Sequence, residues 1–262
     1  VNRLDQELVT RGLARSRTEA AKLIDAQRVL LNGQAATKAA KKVSATDELA
    51  LVPSEGEEYV SRAGHKLAGA LDAFTTIDPA GLHCLDAGAS TGGFTDVLLR
   101  RGAKSVVAAD VGHGQLVDEL REDPRVTVHE GLNVRYLAPE DIGGPVDLVV
   151  ADLSFISLRL VIDALAGAAK DGGFLLLMVK PQFEVGREHL NRTGVVTDPA
   201  LRRSSVEAVV ASAQAAGLHL RGLARSPLPG QDGNVEFFLW LAAGEDPQPA
   251  DVPRIGQDVD YS

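Results

Sequence analysis

Between Leu82 and Asp96 the chain reads Leu-His-Cys-Leu-Asp-Ala-Gly-Ala-Ser-Thr-Gly-Gly-Phe-Thr-Asp. An apolar run ends in an acid, a turn rich in Gly, Ala and Ser follows, and a helix begins. That order is the opening of a Rossmann-like fold. Its glycines let the backbone approach a ligand, and the helix N-terminus presents unpaired N–H groups. The spacing is Asp-x-Gly-x-x-x-Gly-Gly and not Gly-x-Gly-x-x-Gly. It suits S-adenosylmethionine (SAM), which has no pyrophosphate to cradle. Asp86, Gly88, Ser90, Gly92, Gly93 and Phe94 are therefore candidate cofactor contacts. For this stretch alone, a glycine-bearing strand–helix turn without a ligand is the competing reading.

The rest of the chain repeats the strand-then-helix order. Strands are predicted at Leu82–Leu85, Ser105–Ala109, Arg125–His129, Val146–Ala151, Gly173–Val179, Leu218–Ala224 and Val235–Leu241. Helices are predicted at Phe94–Arg101, Ser157–Ala169 and Pro199–Ala216. Continuously apolar strands alternating with helices imply a parallel sheet covered on both faces. The last two strands are joined by residues 226–234, too short for a crossover helix, so the final strand should run antiparallel. The fold class is thus α/β, a Rossmann-like SAM-dependent methyltransferase with a seven-stranded, mostly parallel sheet whose last strand is antiparallel. Asp110 ends the second strand, 24 residues after Asp86, where an acid normally holds ribose hydroxyls. Asn133, after the third strand, is placed by position alone to meet the adenine.

The formal net charge of −9 argues against a nucleic-acid partner, but its distribution argues for one. Residues 1–46 hold nine Lys/Arg and four Asp/Glu, a local charge of +5, which leaves −14 for the remainder. A basic module steers a polyanion better than the total suggests. In it, Leu4, Leu8 and Val9 lie at helical spacing before Gly12. Ser16 and Glu19 form a capping box ahead of Ala20, Ala21, Leu23 and Ile24. Val29-Leu-Leu-Asn-Gly reads as a strand entering a tight turn. Arg3-Leu-Asp, Ser16-Arg-Thr-Glu-Ala-Ala-Lys-Leu-Ile and Val29-Leu-Leu-Asn-Gly make this stretch resemble the alpha-L RNA-binding fold of a small-subunit ribosomal protein and many pseudouridine synthases. The candidate RNA contacts are Arg3, Arg15, Arg17, Lys22, Arg28, Lys38, Lys41 and Lys42, set against phosphates by shape and charge. A solvated basic face is the bland alternative. The domains expected are a small α+β RNA-binding domain at 1–54, a linker at 55–62, a methyltransferase domain at 63–243 and a disordered tail at 244–262.

Cys84 is the single cysteine and reads as a buried structural thiol, consistent with a reducing compartment and a cytoplasmic location. No run of about 18 apolar residues is present, no signal-peptide hydrophobic region opens the chain, and no stable membrane association is expected. The six histidines have no ligand spacing, so no metal is expected, and a monomer is the default.

Chemistry should lie at the carboxyl ends of the strands. Asp86, Asp152 and Lys180 are delivered there from apolar strands, and Glu236 begins the last one. A lysine after seven apolar residues is costly unless paired, and Asp152 is its obvious partner. Lys66, read as the start of an amphipathic helix with Leu67, Ala70, Leu71 and Phe74, lies within reach of the same mouth. Lys66, Asp152, Lys180 and Glu236 resemble the Lys-Asp-Lys-Glu tetrad of the RrmJ/FtsJ-like 2′-O-methyltransferases. The wider chain resembles the TlyA family of ribosomal RNA 2′-O-methyltransferases, sometimes called haemolysins. The blocks that carry this are Tyr59-Val-Ser-Arg-Ala-Gly-His-Lys-Leu, Ala109-Asp-Val-Gly-His-Gly-Gln-Leu, Asp147-Leu-Val-Val-Ala-Asp-Leu-Ser-Phe-Ile-Ser-Leu, Val179-Lys-Pro-Gln-Phe-Glu-Val-Gly and Ser226-Pro-Leu-Pro-Gly…Gly-Asn-Val-Glu-Phe-Phe, with the glycine-rich turn above. The chain departs from the family's usual Gly-Gly or Gly-Ala after Ser-Arg by carrying Ala63-Gly64. The resemblance implies methylation of cytidine 2′-hydroxyls in ribosomal RNA of the small, and in some members the large, subunit. In that reading Lys180 contacts the attacking oxygen, as base or as electrostatic stabiliser, Asp152 orients Lys180, Glu236 orients Lys66, and Asp152 also borders the cofactor. A buried salt-bridge network without catalysis is the alternative. The competing functions are weaker. Asp152-Leu-Ser-Phe lacks the Pro-Pro-Tyr platform of base-amino methyltransferases, and Cys84 lies inside a strand and not at its tip. A membrane-lytic protein or a non-catalytic ribosome-binding protein remain the other classes.

Overall fold

A computed structural model describes residues 2–14, 16–25, 28–44, 46–51, 59–230, 232–244 and 259–262. Contacts divide the chain into two units, Val1–Glu58 and Tyr59–Ser262. Arg15, the linker positions 55–58, the tail positions 245–258 and the side chain of Lys22 lie outside the described residues.

The first unit begins with β1 (Asn2–Arg3), α1 (Leu4–Thr10) and α2 (Arg17–Asp25). Gly12 takes a left-handed φ of +70° after α1, and the Ser16 hydroxyl accepts the Glu19 N–H at 3.1 Å to start α2. β2 (Val29–Leu31) turns through Asn32 and Gly33, at φ +51° and +78°, into β3 (Gln34–Ala35). Two positive φ values make this the tight hairpin that Asn-Gly favours. β4 (Lys42–Val43) pairs with β1, and β5 (Leu49–Leu51) pairs with β2, both antiparallel. Leu4, Leu8, Ala20, Ile24, Val29 and Val43 form the unit's own core.

The second unit opens with α3 (Arg62–Ala73). Lys66 therefore sits in the second turn of α3, on its buried face with Leu67 and Ala70, and does not start the helix as its sequence position suggests. The alternation that follows is β6 (His83–Ala87), α4 (Gly93–Arg100), β7 (Ser105–Asp110), α5 (Asp118–Arg121), β8 (Val126–Glu130) and β9 (Val146–Ala151). Next come α6 (Ile162–Ala168), β10 (Ala169–Val179), α7 (Pro181–Glu184), α8 (Pro199–Ala215), β11 (His219–Arg225) and β12 (Phe237–Ala242). The one long helix expected from Ser157 is a short 3-10 turn at Leu158–Leu160 followed by α6. Val161, at φ −123°, breaks it, and strand conformation resumes at once at Ala169.

The seven strands lie in the order β11-β12-β10-β9-β6-β7-β8. β12 is antiparallel to both neighbours and every other pairing is parallel. Apolar clusters cover the two faces, one around Leu85, Val149, Leu177 and Leu239, the other around Cys84, Leu98, Leu148 and Phe238. All six parallel strands thus deliver their carboxyl ends to one edge.

One correction concerns the C-terminus. The whole segment 244–262 reads as disordered from its prolines and acids, yet Val259–Ser262 packs on the domain. Tyr261 is buried, its ring 5.0 Å from that of Phe237, and its carbonyl accepts Arg202 Nη1 at 2.8 Å. Arg225 also pairs with Asp260 at 2.8 Å. A single aromatic, Tyr261, anchors the segment where the composition of the tail suggested disorder. Tyr261→Ala should cost about 2 kcal/mol and lower the unfolding midpoint of this unit by roughly 4–8 °C in thermal denaturation. A midpoint unchanged within a degree would show that the segment carries no stability.

Candidate active site

A cleft of about 190 Å³ opens at the carboxyl ends of β6, β9 and β10. Ser61, Gly88, Ser90, Thr91, Phe94, Asp152, Ser154 and Lys180 are among the residues lining it. Gly88 has φ +86°, and a Cβ there would lie 2.8 Å from the Asp152 carbonyl. Glycine is therefore what allows the turn after β6 to lie against the tip of β9. At Gly93 a Cβ would meet Ser61 Oγ at 2.2 Å and the Gly64 nitrogen at 2.9 Å. This glycine serves the close packing of α4 on the start of α3.

A narrower hollow adjoins the cleft through Ala89 and Ser90 and is walled by Asp110, Gly112, Gln115, Leu116 and Val128. Asp110 closes β7 there. Its Oδ2 accepts the Ser90 N–H at 2.9 Å and its Oδ1 accepts the Gly112 N–H at 2.7 Å. Ser90 itself takes a left-handed φ of +48°. A carboxylate fixed by two backbone donors keeps lone pairs for a diol, and Leu116 and Val128 offer apolar walls to a flat base. The donor set and its shape fit an adenosine moiety.

At the mouth, two lysines are paired with two carboxylates. Lys180 Nζ lies 2.6 Å from Asp152 Oδ1 and donates to Ser154 Oγ at 2.9 Å. Lys66 Nζ lies 2.6 Å from Glu236 Oε2, with both side chains buried. The sheet register explains the second carboxylate. Val179 faces Phe237 across the β10–β12 pair, so one step further along the ladder Glu236 stands opposite Lys180. Gln182 Nε2 donates to Glu236 Oε1 at 3.3 Å and ties the turn after β10 to the Lys66–Glu236 pair. A buried ion pair is weak evidence for stability, because desolvation offsets most of the attraction. Two of them at the ligand end of an α/β sheet suit positioning charge for a reaction.

Three expected cofactor contacts fall elsewhere. Asp86 is fully buried inside β6 and does not line the cleft. Thr95 Oγ1 donates to its Oδ2 at 2.7 Å, and its Oδ1 has no hydrogen-bond partner among the described residues. The strand runs two residues further than its apolar run, to Ala87, which draws the acid inside. Asn133 is exposed, lines neither cavity, and spends its Oδ1 accepting the Arg135 N–H at 3.0 Å as cap of a 3-10 turn. Gly92, at φ +99°, faces Leu116 and Leu120 rather than either cavity.

Sequence reasoning gave no role to Ser154, Gln182 or Ser61. Ser154 and Gln182 lie two residues beyond Asp152 and Lys180, so their place at the strand tips was the available signal. The tip after β9 also carries an aromatic that the comparison with Pro-Pro-Tyr discounted. Phe155 is 91% exposed at φ +64°, with its ring 5.3 Å from that of Phe183.

In the first unit, Asp5 is buried and accepts from both Arg3 and Arg17, at 3.0 and 2.9 Å. Arg3 foremost, then Arg17, holds its carboxyl down to about 2. Those two guanidiniums are thus partly committed within the fold, while Lys38, Lys41 and Lys42 are exposed and Arg28 is half-buried. Among the described residues, no group of His, Cys, Asp and Glu is arranged to hold a metal ion.

Residues 59–243 match the FtsJ-like methyltransferase family and residues 2–49 match the S4 domain. The 16S/23S rRNA (cytidine-2′-O)-methyltransferase TlyA of Mycobacterium tuberculosis is 58% identical over 244 residues, covering 93% of this chain and 91% of the relative. Hemolysin A of Brachyspira hyodysenteriae is 37% identical, covering 90% of this chain and 98% of the relative. The solved structure of a protein described as a hemolysin from Streptococcus thermophilus superposes with a TM-score of 0.77 at 41% identity, covering 98% of this chain and 94% of that one.

Asp86 makes the domain's stability depend on pH. Burial pushes its carboxyl up to about 7, helped by the charges of Asp152 and Asp110 and opposed by the Thr95 hydrogen bonds. In the unfolded chain an aspartate ionises near pH 4. Below that value both states hold the proton and no penalty applies. As pH rises toward 7 only the unfolded state releases it, so stability falls until the folded group ionises as well. Asp86→Asn keeps the oxygen facing Thr95 and removes the titration. Between pH 5 and pH 8, the stability of wild type relative to Asp86→Asn should fall by roughly 2 kcal/mol in urea denaturation. A difference that stays constant across that range would refute the assignment.

Proposed function

This chain belongs to the FtsJ-like methyltransferase family, and from that premise we propose that it is a ribosomal RNA (cytidine-2′-O)-methyltransferase acting on small-subunit and also large-subunit RNA. The observation that carries the site assignment is Lys180, which lines the cleft with its ammonium held between Asp152 and Ser154. SAM is the methyl donor, and when bound it supplies an electrophilic methyl group on a sulfonium. Its residues here would be the turn at Gly88–Phe94 and, on the adenosine side, Asp110 with Gly112, Gln115, Leu116 and Val128.

The remaining demands fall on the protein. A ribose 2′-hydroxyl is a weak nucleophile. It must be aligned with the methyl carbon, and its proton must leave as the O–C bond forms. Lys180 contacts the attacking oxygen and stabilises the negative charge that builds on it. Asp152 and Ser154 keep Nζ at the mouth of the cleft, and Asp152 is the carboxylate nearest to that ammonium to take up the released proton. Lys66 is held by Glu236, which also accepts from Gln182, and stands as a second ammonium whose charge its own carboxylate balances. Phe155, exposed beside Ser154, offers a face on which a nucleobase stacks.

The S4 domain binds RNA through exposed Lys38, Lys41 and Lys42, with Arg3, Arg15, Arg17, Lys22 and Arg28 contributing charge. Ribosomal subunits are the substrate form, the chain acts as a monomer, and its substrate puts it in the cytoplasm. A membrane-lytic reading has only a relative's name behind it, and among the described residues no helix is long and apolar enough to cross a membrane.

The test is methyl transfer from labelled SAM to ribosomal subunits that lack the modification. Wild type should label a cytidine 2′-oxygen, and Lys180→Ala should lose about 100-fold or more in kcat while binding SAM within twofold of wild type. A Lys180→Ala enzyme with near-normal turnover would overturn the assignment. Phe155→Ala should raise the KM for RNA roughly 10-fold, the cost of one base stack, with kcat little changed.

A further inference from the structure

We propose that Glu184 is a positioning residue for methyl transfer, a buried carboxylate that fixes the loop bearing Asp152 and Ser154 against the turn bearing Lys180. The proposal rests on the role given to Lys180 above. Glu184 closes α7, whose N-cap is Lys180 and whose first residue is Pro181. Its side chain is only 2% exposed. Oε1 accepts the Leu158 N–H at 2.7 Å, and Oε2 accepts Ser157 Oγ at 2.5 Å and Arg159 Nε at 3.3 Å. The backbone carbonyl of Glu184 receives Arg159 Nη2 at 3.4 Å.

A carboxylate this buried is costly to ionise unless donors surround it. Here its recorded donors come from three consecutive residues of one loop, 26 residues away in the sequence on average. That loop leaves the end of β9 at Asp152. It is therefore tethered twice to the segment after β10. The front tether is Lys180 with Asp152 and Ser154, and the rear tether is Glu184 with Ser157 and Leu158.

Between the two tethers stands Phe155, a non-glycine residue at φ +64°. Such a conformation is unfavourable for a residue with a side chain and persists where its surroundings over-determine it. Phe155 is 91% exposed, so burial does not hold it. The tethers do, with the Phe183 ring beside it. Without the rear tether the loop relaxes toward an ordinary φ, and Ser154, one residue before Phe155, moves off Lys180. The carboxylate thus acts on catalysis through Ser154 and Asp152 and touches no substrate.

The experiment compares wild type, Glu184→Ala, Glu184→Gln, Ser154→Ala, the Glu184→Ala/Ser154→Ala double variant and Lys180→Ala on modification-free subunits. It measures kcat, the KM for RNA and SAM affinity. Glu184→Ala should lower kcat about 10- to 100-fold, the scale of a displacement of about 1 Å, with SAM affinity and the KM for RNA within about threefold of wild type. Glu184→Gln keeps one oxygen for the Leu158 N–H and should recover part of the loss. Ser154→Ala should lower kcat on its own and add little on top of Glu184→Ala, because both act through one contact. Should Glu184→Ala fail to fold, Glu184→Gln and Ser157→Ala carry the same comparison. If Lys180→Ala is inactive and Glu184→Ala, or those two substitutes, keep wild-type kcat, the clamp is overturned alone. Independent, multiplying effects of Glu184→Ala and Ser154→Ala would overturn it as well. If Lys180→Ala stays active, the premise falls and the clamp with it.

Discussion

The antiparallel insertion of β12 beside β10 decides whether the mouth of this sheet receives the carboxylate of Glu236. Run in parallel, β12 would present its far end at the cleft and carry Glu236 to the opposite edge. Run as it is, it sets Glu236 across the ladder from Lys180, where the acid can take Lys66 from α3. Two ammonium groups are then housed in an apolar scaffold, each with its own carboxylate. That arrangement makes two lysines tolerable where one would already be expensive.

Much of this is legible in the residues themselves. Continuous apolar runs mark the strands, and an acid or a lysine directly after such a run marks the functional edge. The short connection through residues 226–234 foretells the antiparallel strand. What sequence periodicity does not carry is how far a strand continues past its apolar run. Asp86 looks like a strand tip and proves to be strand interior, where a neighbouring threonine and not a ligand meets it. Asn133 has the right position for a base contact, yet its short amide side chain caps a local turn, a habit of asparagine that pattern reading cannot separate from ligand binding.

Hidden pairing explains other differences. Arg3 and Arg17 read as free cations in a basic module, because nothing in the sequence says that Asp5 is buried between them. Glu184 reads as one more polar residue after Lys-Pro-Gln-Phe, because its partners lie in a different loop. Tyr261 follows a run of prolines and acids and still finds an aromatic neighbour in Phe237. In each case the missing information is a contact distant in sequence, which neither composition nor local spacing records.

The charge balance of the mouth has a consequence for how a polyanion is handled. Lys66, Glu236, Lys180 and Asp152 sum to zero, and the chain beyond residue 46 carries −14. Long-range attraction for phosphates is therefore concentrated in the first 46 residues, where the local charge is +5. Capture and chemistry are electrostatically separate. Raising the ionic strength weakens the hold of the basic module on RNA, because each counterion released on binding gains less entropy in a saltier solution, while the paired lysines, shielded by burial and by their own carboxylates, go on orienting a hydroxyl much as before.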